Sequence, residues 1–358
     1  MKVRGLRGMT AALAAVAVTA LAAACGGGGD TTTASGGAGG GGTTKTELRL
    51  GFFPNITHST ALVGVKKGFF TKALGDNVTL KTATFNAGPA ATEAIFSDAI
   101  DATYIGPNPA INAWSKSKGQ AIKIVAGAAS GGVYLVVKPE INSVQDLKGK
   151  KIATPQLGNT QDVALRYWLQ EKGLKTDTKG GGDVSILPQE NAQTLQTFAT
   201  GDIDGAWVPE PFASRLIQES KGKILVNEAD LWPNKQFVIT HLIVRQQFLK
   251  EHPDIVKKLI EGHVEATAYI KSDPAGAKEA INAELQDLSG KPLKNEVLES
   301  AFQNITFTND PIASSLIGSA DHAQKVGLLD PVDLNGIYDL TILNQVLAAK
   351  GEQAVSDK

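Results

Sequence analysis

The chain has 358 residues, with 35 Lys and Arg interspersed among 36 Asp and Glu for a formal charge of −1. That balance excludes the basic footprint of a nucleic-acid binder, and a single cysteine excludes an internal disulfide. The five histidines (His58, His241, His252, His263 and His322) show no paired ligand spacing, so neither a metal nor a cofactor is expected.

In chain order, Lys2, Arg4 and Arg7 form a basic head, followed by an Ala-rich apolar run from residue 9 to 24. The run is short for a membrane span and ends in small residues, so residues 1–24 read as a secretory signal peptide.

That run closes on Leu21-Ala22-Ala23-Ala24-Cys25-Gly26, which resembles the lipobox of bacterial lipoproteins, with the leucine one place further from the cysteine than usual. The resemblance implies that Cys25 is acylated and anchors the protein to the outer face of the cytoplasmic membrane. Acyl chains at roughly 0.8 kcal/mol per buried methylene make a firm anchor. Residues 25–46 are Gly, Thr, Ser and Ala with few apolar side chains, the composition of a flexible linker.

The rest of the chain can bury a sizeable core. Strand patterns at 48–52, 78–85, 102–105 and 122–128 alternate with helical patterns at 59–67, 89–97 and 109–116. The alternation then restarts, with strands at 151–153, 184–187 and 205–208 and helices at 160–170, 192–200 and 211–220. This grammar predicts an α/β fold with mostly parallel sheets. Residues echo one another between the copies. Ile100-Asp101-Ala102-Thr103-Tyr104-Ile105 leads into Pro107-Asn108-Pro109, as Ile203-Asp204-Gly205-Ala206-Trp207-Val208 leads into Pro209-Glu210-Pro211.

Two lobes of one plan are therefore expected, the first from 47 to 137 and the second from 138 to 241. Residues 242–358, mostly helical, return to the first lobe. Segments 133–137 and 237–244 are the candidate hinge strands. In open α/β sheets ligands lie beyond the carboxyl ends of the strands, so two such edges facing each other define a cleft.

The strand-to-helix loops around Asn55, Gly88, Asn159 and Asn191 offer backbone N–H groups where helix dipoles favour negative charge. Asn55, Thr57, Asn159 and Thr160 can cap helices, and capping accounts for each taken singly. Taken together, neutral donor loops with few cationic side chains suit a weakly hydrated oxyanion such as a sulfonate. Tyr104, Trp207 and Phe212 lie at or just after equivalent strand ends, where an aromatic ring either covers an aliphatic part of a ligand or packs in the core. Glu210 either accepts from a ligand amine or serves a nearby helix. Asp202 and Asp204 read as solvated turn acids. No nucleophile elbow or phosphate loop with its lysine is present in the sequence.

At Gly51-Phe52-Phe53-Pro54-Asn55-Ile56-Thr57-His58, Lys67-Gly68-Phe69-Phe70, Asp146-Leu147-Lys148-Gly149-Lys150-Lys151-Ile152-Ala153 and Asp204-Gly205-Ala206-Trp207-Val208-Pro209-Glu210-Pro211, the chain resembles the sulfonate, taurine and nitrate group of ABC importer solute-binding proteins. The resemblance implies a type II periplasmic-binding fold, a monomer that hands a small organic anion to a permease and, through it, to an ATPase. The ligand residues it implies are Asn55, Thr57 and His58, then Gly88, Asn108, Ser130, Gly158, Asn159, Thr160, Gln161, Trp207 and Glu210. An aliphatic sulfonate or taurine is the first choice of solute, with nitrate or bicarbonate as alternatives. A relative with the same lobes makes the pyrimidine precursor of thiamine through a cysteine-rich motif. This chain has only Cys25, which disfavours that enzyme reading.

Overall fold

The computed structural model describes residues 45–358, so the signal peptide, Cys25 and nearly all of the expected linker lie outside the described residues. From its start the chain runs β1 (Thr46–Phe52), α1 (Ser59–Lys66), α2 (Phe69–Leu74), β2 (Val78–Thr84), α3 (Gly88–Phe96), β3 (Ala102–Ile105), α4 (Pro107–Lys116) and β4 (Ile122–Gly131). It continues through β5 (Val133–Val137), β6 (Lys151–Thr154), α5 (Thr160–Glu171), β7 (Ser185–Pro188), α6 (Asn191–Thr200), β8 (Gly205–Pro209), α7 (Phe212–Ser220) and β9 (Lys223–Asn227). The last part is β10 (Val238–Arg245), α8 (Gln246–Glu251), α9 (Pro253–Ser272), α10 (Pro274–Ser289), α11 (Asn295–Gln303), β11 (Ile305–Phe307), α12 (Ala313–Lys325) and α13 (Thr341–Ala349).

The strands form two sheets, ordered β11-β4-β10-β3-β1-β2 and β7-β6-β8-β5-β9. Three parallel strands stand in the same order in both: β1 pairs β2 and β3 as β6 pairs β7 and β8. Each sheet then adds an antiparallel strand, β10 against β3 and β5 against β8. The mixed sheets flanked by helices are the two-lobed α/β architecture that the strand–helix alternation predicts.

Strand pairing moves the lobe boundaries expected from sequence. β5, expected to end the first lobe at 137, pairs with β8 and β9 in the second sheet. β10, which the boundary at 241 would divide, lies whole in the first sheet against β3 and β4. Both strands are buried along nearly their full length, and a run buried on both faces announces a central strand without naming its sheet. The first crossover turns at Gly131 and Gly132, with φ of 83° and 71°, and a Cβ on Gly132 would meet the Ile305 side chain at 2.5 Å. Only glycine fits that turn without strain. The second crossover is the segment between β9 and β10. One apolar cluster joins the lobes, including Val133, Leu135, Trp168 and Trp207 together with Phe237 and Ile239.

The internal repeat is held by the same bond twice. Asp101 accepts from the backbone N–H of Arg49 on β1 at 2.9 Å, and Asp204 accepts from that of Lys151 on β6 at 2.9 Å. Each aspartate's own N–H returns a bond to the carbonyl of the same partner, at 2.9 and 2.8 Å. Each pair fixes the register of two parallel strands at the edge opposite the cleft. Asp204 is thus a structural clamp rather than the solvated turn acid expected. Asp101 also binds Arg49 at 2.6 Å and Arg245 at 3.0 Å. Burial works to raise its pKa, but the hydrogen bonds from Arg49 and Arg245 outweigh burial and hold it below the usual range.

Asp101→Asn removes the charge from a buried carboxylate that serves two arginines, and should cost about 2–3 kcal/mol in urea unfolding near pH 7. Because the folded-state pKa is depressed, the carboxylate's contribution is present above the ordinary Asp value and is lost as pH falls through the folded value. The difference between wild type and variant should therefore shrink on acidification.

Candidate ligand-binding site

The carboxyl ends of the parallel strands in both sheets converge on a polar cavity of about 20 Å3. Phe53, Asn55, Thr57 and His58 follow β1, Asn86 and Ala87 follow β2, and Gly106 follows β3. Opposite them stand Pro155, Asn159, Thr160 and Gln161 after β6, Asn191 after β7 and Pro209 at the end of β8, with Ile239 of β10 completing the wall. Helices α3, α4, α5 and α6 begin at these loops, so the positive ends of their dipoles surround one point.

Asn55 and Asn159 precede helical turns, yet neither side chain caps one. Asn159 Nδ2 instead donates to Gln161 Oε1 at 2.8 Å. Thr160 Oγ1 and Asn191 Oδ1 are buried and have no hydrogen-bond partner among the described residues. His58 Nδ1 accepts from the Phe53 N–H at 3.2 Å, which leaves the proton on Nε2. The ring stacks on Phe53 with centroids 4.3 Å apart. Burial pushes the His58 pKa down to about 3, so the imidazole is a neutral donor at physiological pH. Among the described residues, no Lys, Arg, Asp or Glu lines the cavity.

The lobes meet closely here. A Cβ on Gly106 would come within 2.5 Å of Thr160 Oγ1, and one on Gly88 within 3.1 Å of Asn159 Oδ1 and 2.1 Å of Pro109. Asn86 Nδ2 donates across the opening to Glu190 Oε1 at 2.7 Å. A groove of about 600 Å3 opens beside the cavity and shares Asn55, Asn86 and Asn191 with it. Its other walls include Pro54, Phe212, Leu285 and Leu288, with Arg215 and Lys294 among the charged residues.

Of the twelve ligand residues implied by the resemblance, Asn55, Thr57, His58, Asn159, Thr160 and Gln161 line the cavity together. The other six stand outside its lining. Gly88 lets the lobes approach, and the Gly158 N–H donates to Asp162 at 2.9 Å. Asn108 donates to the Ser319 carbonyl at 3.0 Å, and Ser130 Oγ accepts from the Phe237 N–H at 3.3 Å. Trp207 is fully buried, edge-on to Trp168, with its N–H on Glu228 at 2.6 Å. It follows from strand alternation: Trp207 and Pro209 share one face, but Trp207 lies deeper in the sheet and its bulk fills the core. Glu210 is buried and accepts from Ser214 and Asn304. Of the three aromatic residues named at the strand ends from sequence, Phe212 alone lines the groove beside the cavity.

Gly106, Pro155 and Ile239 escaped the sequence reading. The first two follow β3 and β6 directly, so extending the repeat by one residue past each strand would have found them. Asp162 escaped it too. Its carboxylate takes the Gly158 N–H, Thr154 Oγ1 at 3.0 Å and Arg166 at 3.0 Å, and so shapes the loop that presents Asn159 and Thr160.

The paired sheets and the cavity between them are those of the two-lobed periplasmic binding proteins. Residues 41–285 match the NMT1-like family, and the chain belongs to that family. It is 28% identical over 306 residues to a putative binding protein of Brucella abortus strain 2308, covering 81% of this chain and 89% of that one. It is 26% identical over 274 residues to the taurine-binding periplasmic protein of Escherichia coli strain K12, covering 73% and 82%. Among solved structures it resembles the alkanesulfonate-binding protein SsuA of Xanthomonas axonopodis pv. citri bound to MOPS. There the TM-score is 0.65 at 20% identity, over 80% of this chain and 95% of that one.

A buried hydroxyl without a partner is a standing cost. Thr160→Val, which keeps the shape and removes that group, should leave the unliganded protein as stable as wild type or up to about 1 kcal/mol more stable in urea unfolding. A loss above about 1 kcal/mol would mean that Thr160 Oγ1 is satisfied in the free protein.

Proposed function

We propose that the protein is the extracytoplasmic solute-binding component of an ABC importer, and that it closes its lobes over a small organic anion, an aliphatic sulfonate or taurine. The observation that carries this reading is an interlobe cavity without a formal charge, surrounded by helix beginnings, in which Thr160 Oγ1 lacks a partner. A sulfonate spreads one negative charge over three oxygens. Neutral donors such as the His58 Nε2–H and the Thr160 hydroxyl suit it, and no buried cation is left uncompensated when the site is empty. Asn191 can turn its amide to donate to an oxyanion or to accept from a ligand amine. The adjoining groove, with Phe212, Leu285 and Leu288, supports an organic tail. Relatives named as binding proteins support capture over catalysis.

Delivery to a separate permease and ATPase, function as a monomer, and anchoring through Cys25 belong to the same proposal, on the sequence resemblance. Among the described residues, no helix is long and apolar enough to cross a membrane. A second reading, nitrate or bicarbonate, is favoured by one observation, the small volume of the inner cavity.

Calorimetric and thermal titration with taurine, a series of alkanesulfonates, nitrate and bicarbonate separates these readings. A sulfonate should raise the melting temperature with concentration, since it binds the folded state alone. Thr160→Val should weaken that response by about tenfold, the loss of one buried hydrogen bond to a charged ligand. Response to nitrate or bicarbonate alone would replace the sulfonate reading, and silence toward every anion would sink both. With His58 titrating near 3, its charge is constant from about pH 5 to 8, and sulfonate affinity should be flat across that window.

A further inference from the structure

A second cavity lies away from the proposed solute site, where the crossover between β9 and β10 meets α5 and α12. It has a volume of about 240 Å3. Tyr167 and Trp168 contribute one face of α5, Trp232 comes from the crossover, and His322 comes from α12 of the other lobe. Tyr167 and His322 stack across the lobes with centroids 3.7 Å apart, and Trp232 sits 5.1 Å from His322. The cavity is therefore walled by four aromatic rings.

Glu228 also lines it and is 1% exposed. Its Oε2 accepts from the Trp207 indole at 2.6 Å and its Oε1, weakly, from that of Trp232 at 3.4 Å. Both donors are neutral, and among the described residues no lysine or arginine forms an ion pair with this carboxylate. Burial pushes its pKa up to about 7. The lysine at the rim, Lys172, is exposed and has Glu171 beside it. Lys325, which lies 5.3 Å from the Tyr167 ring centre, is held by Asp321 at 2.8 Å.

Above about pH 7 Glu228 is a buried carboxylate without a cation, which is costly, and aromatic faces attract cations most strongly where water is excluded. We propose that this cavity is a second binding site, and that it takes a small organic ammonium ion, charge-paired to Glu228 and enclosed by Tyr167, Trp168 and Trp232. Anions are disfavoured by the same carboxylate. The volume falls just under the usual range for drug-sized ligands, which fits a compact cation. The site does not depend on which solute the main cavity holds. Its occupant touches α5, whose first residues Thr160 and Gln161 line that cavity, and α12 of the opposite lobe.

The test titrates the full chain with choline, with propylammonium and with choline's neutral isostere 3,3-dimethyl-1-butanol, at constant ionic strength and at about pH 8, where Glu228 is ionised. Tryptophan fluorescence and calorimetry are the readouts. The expected result is saturable binding of an ammonium ion, with the neutral isostere weaker by about tenfold or more and Glu228→Gln weakening the cation by about tenfold. Should Glu228→Gln fail to fold in a thermal melt, Tyr167→Leu, on a half-buried helix face, should weaken the cation by about fivefold. No saturable response to either ammonium ion up to about 50 mM, equal binding of the neutral isostere, or unchanged binding in the folded variants would each overturn the site. Because titration with sulfonates is read separately in the same protein, failure here leaves the solute reading standing, and the reverse holds as well.

Discussion

The arrangement rests on one constraint: the parallel strands of two sheets end toward each other, and what lies at those ends must be satisfied without formal charge. Parallel strands must be followed by crossovers, and each crossover here is a helix whose beginning faces the seam. The sheets therefore bring positive dipole ends together from both sides. A charged lining would be stable with the ligand or without it, but rarely both. Neutral donors avoid that conflict, and the cost is moved to single atoms such as Thr160 Oγ1.

The ends opposite the cleft answer a different demand. Asp101 ties the start of β3 to the middle of β1, and Asp204 ties the start of β8 to the start of β6. Charge is thus spent on register at one edge of each sheet and withheld at the other. The buried Asp162–Arg166 pair is the exception at the cleft edge of the second sheet, and there the carboxylate holds the loop before α5 rather than a ligand.

The architecture was legible because the repeat is written in residue types that geometry enforces. An acid before a strand and prolines after it mark the two ends of the same structural unit at 101–109 and at 204–211. Half of the expected ligand residues meet in the cavity because strand-to-helix loops are placed by topology alone. What escaped was direction and distance. Trp207 and Glu210 belong to the right strand end, but one ring fills the core and the other carboxylate serves Ser214 and Asn304. Short elements such as α2, β9 and β11 have too few residues for a periodic signal. Sheet membership of β5 and β10 was hidden because both are buried along nearly their full length, which marks a central strand without naming its sheet.

The exchange of those two strands has a consequence for chain synthesis. All five strands of the second sheet lie between residues 133 and 227 in one continuous stretch. The first sheet, by contrast, lacks an interior strand until residue 245 has been made, because β10 sits between β3 and β4. The lobe nearer the amino terminus is therefore the later one to complete, and a nascent polypeptide carries its opening βα units for more than a hundred residues before their sheet can close.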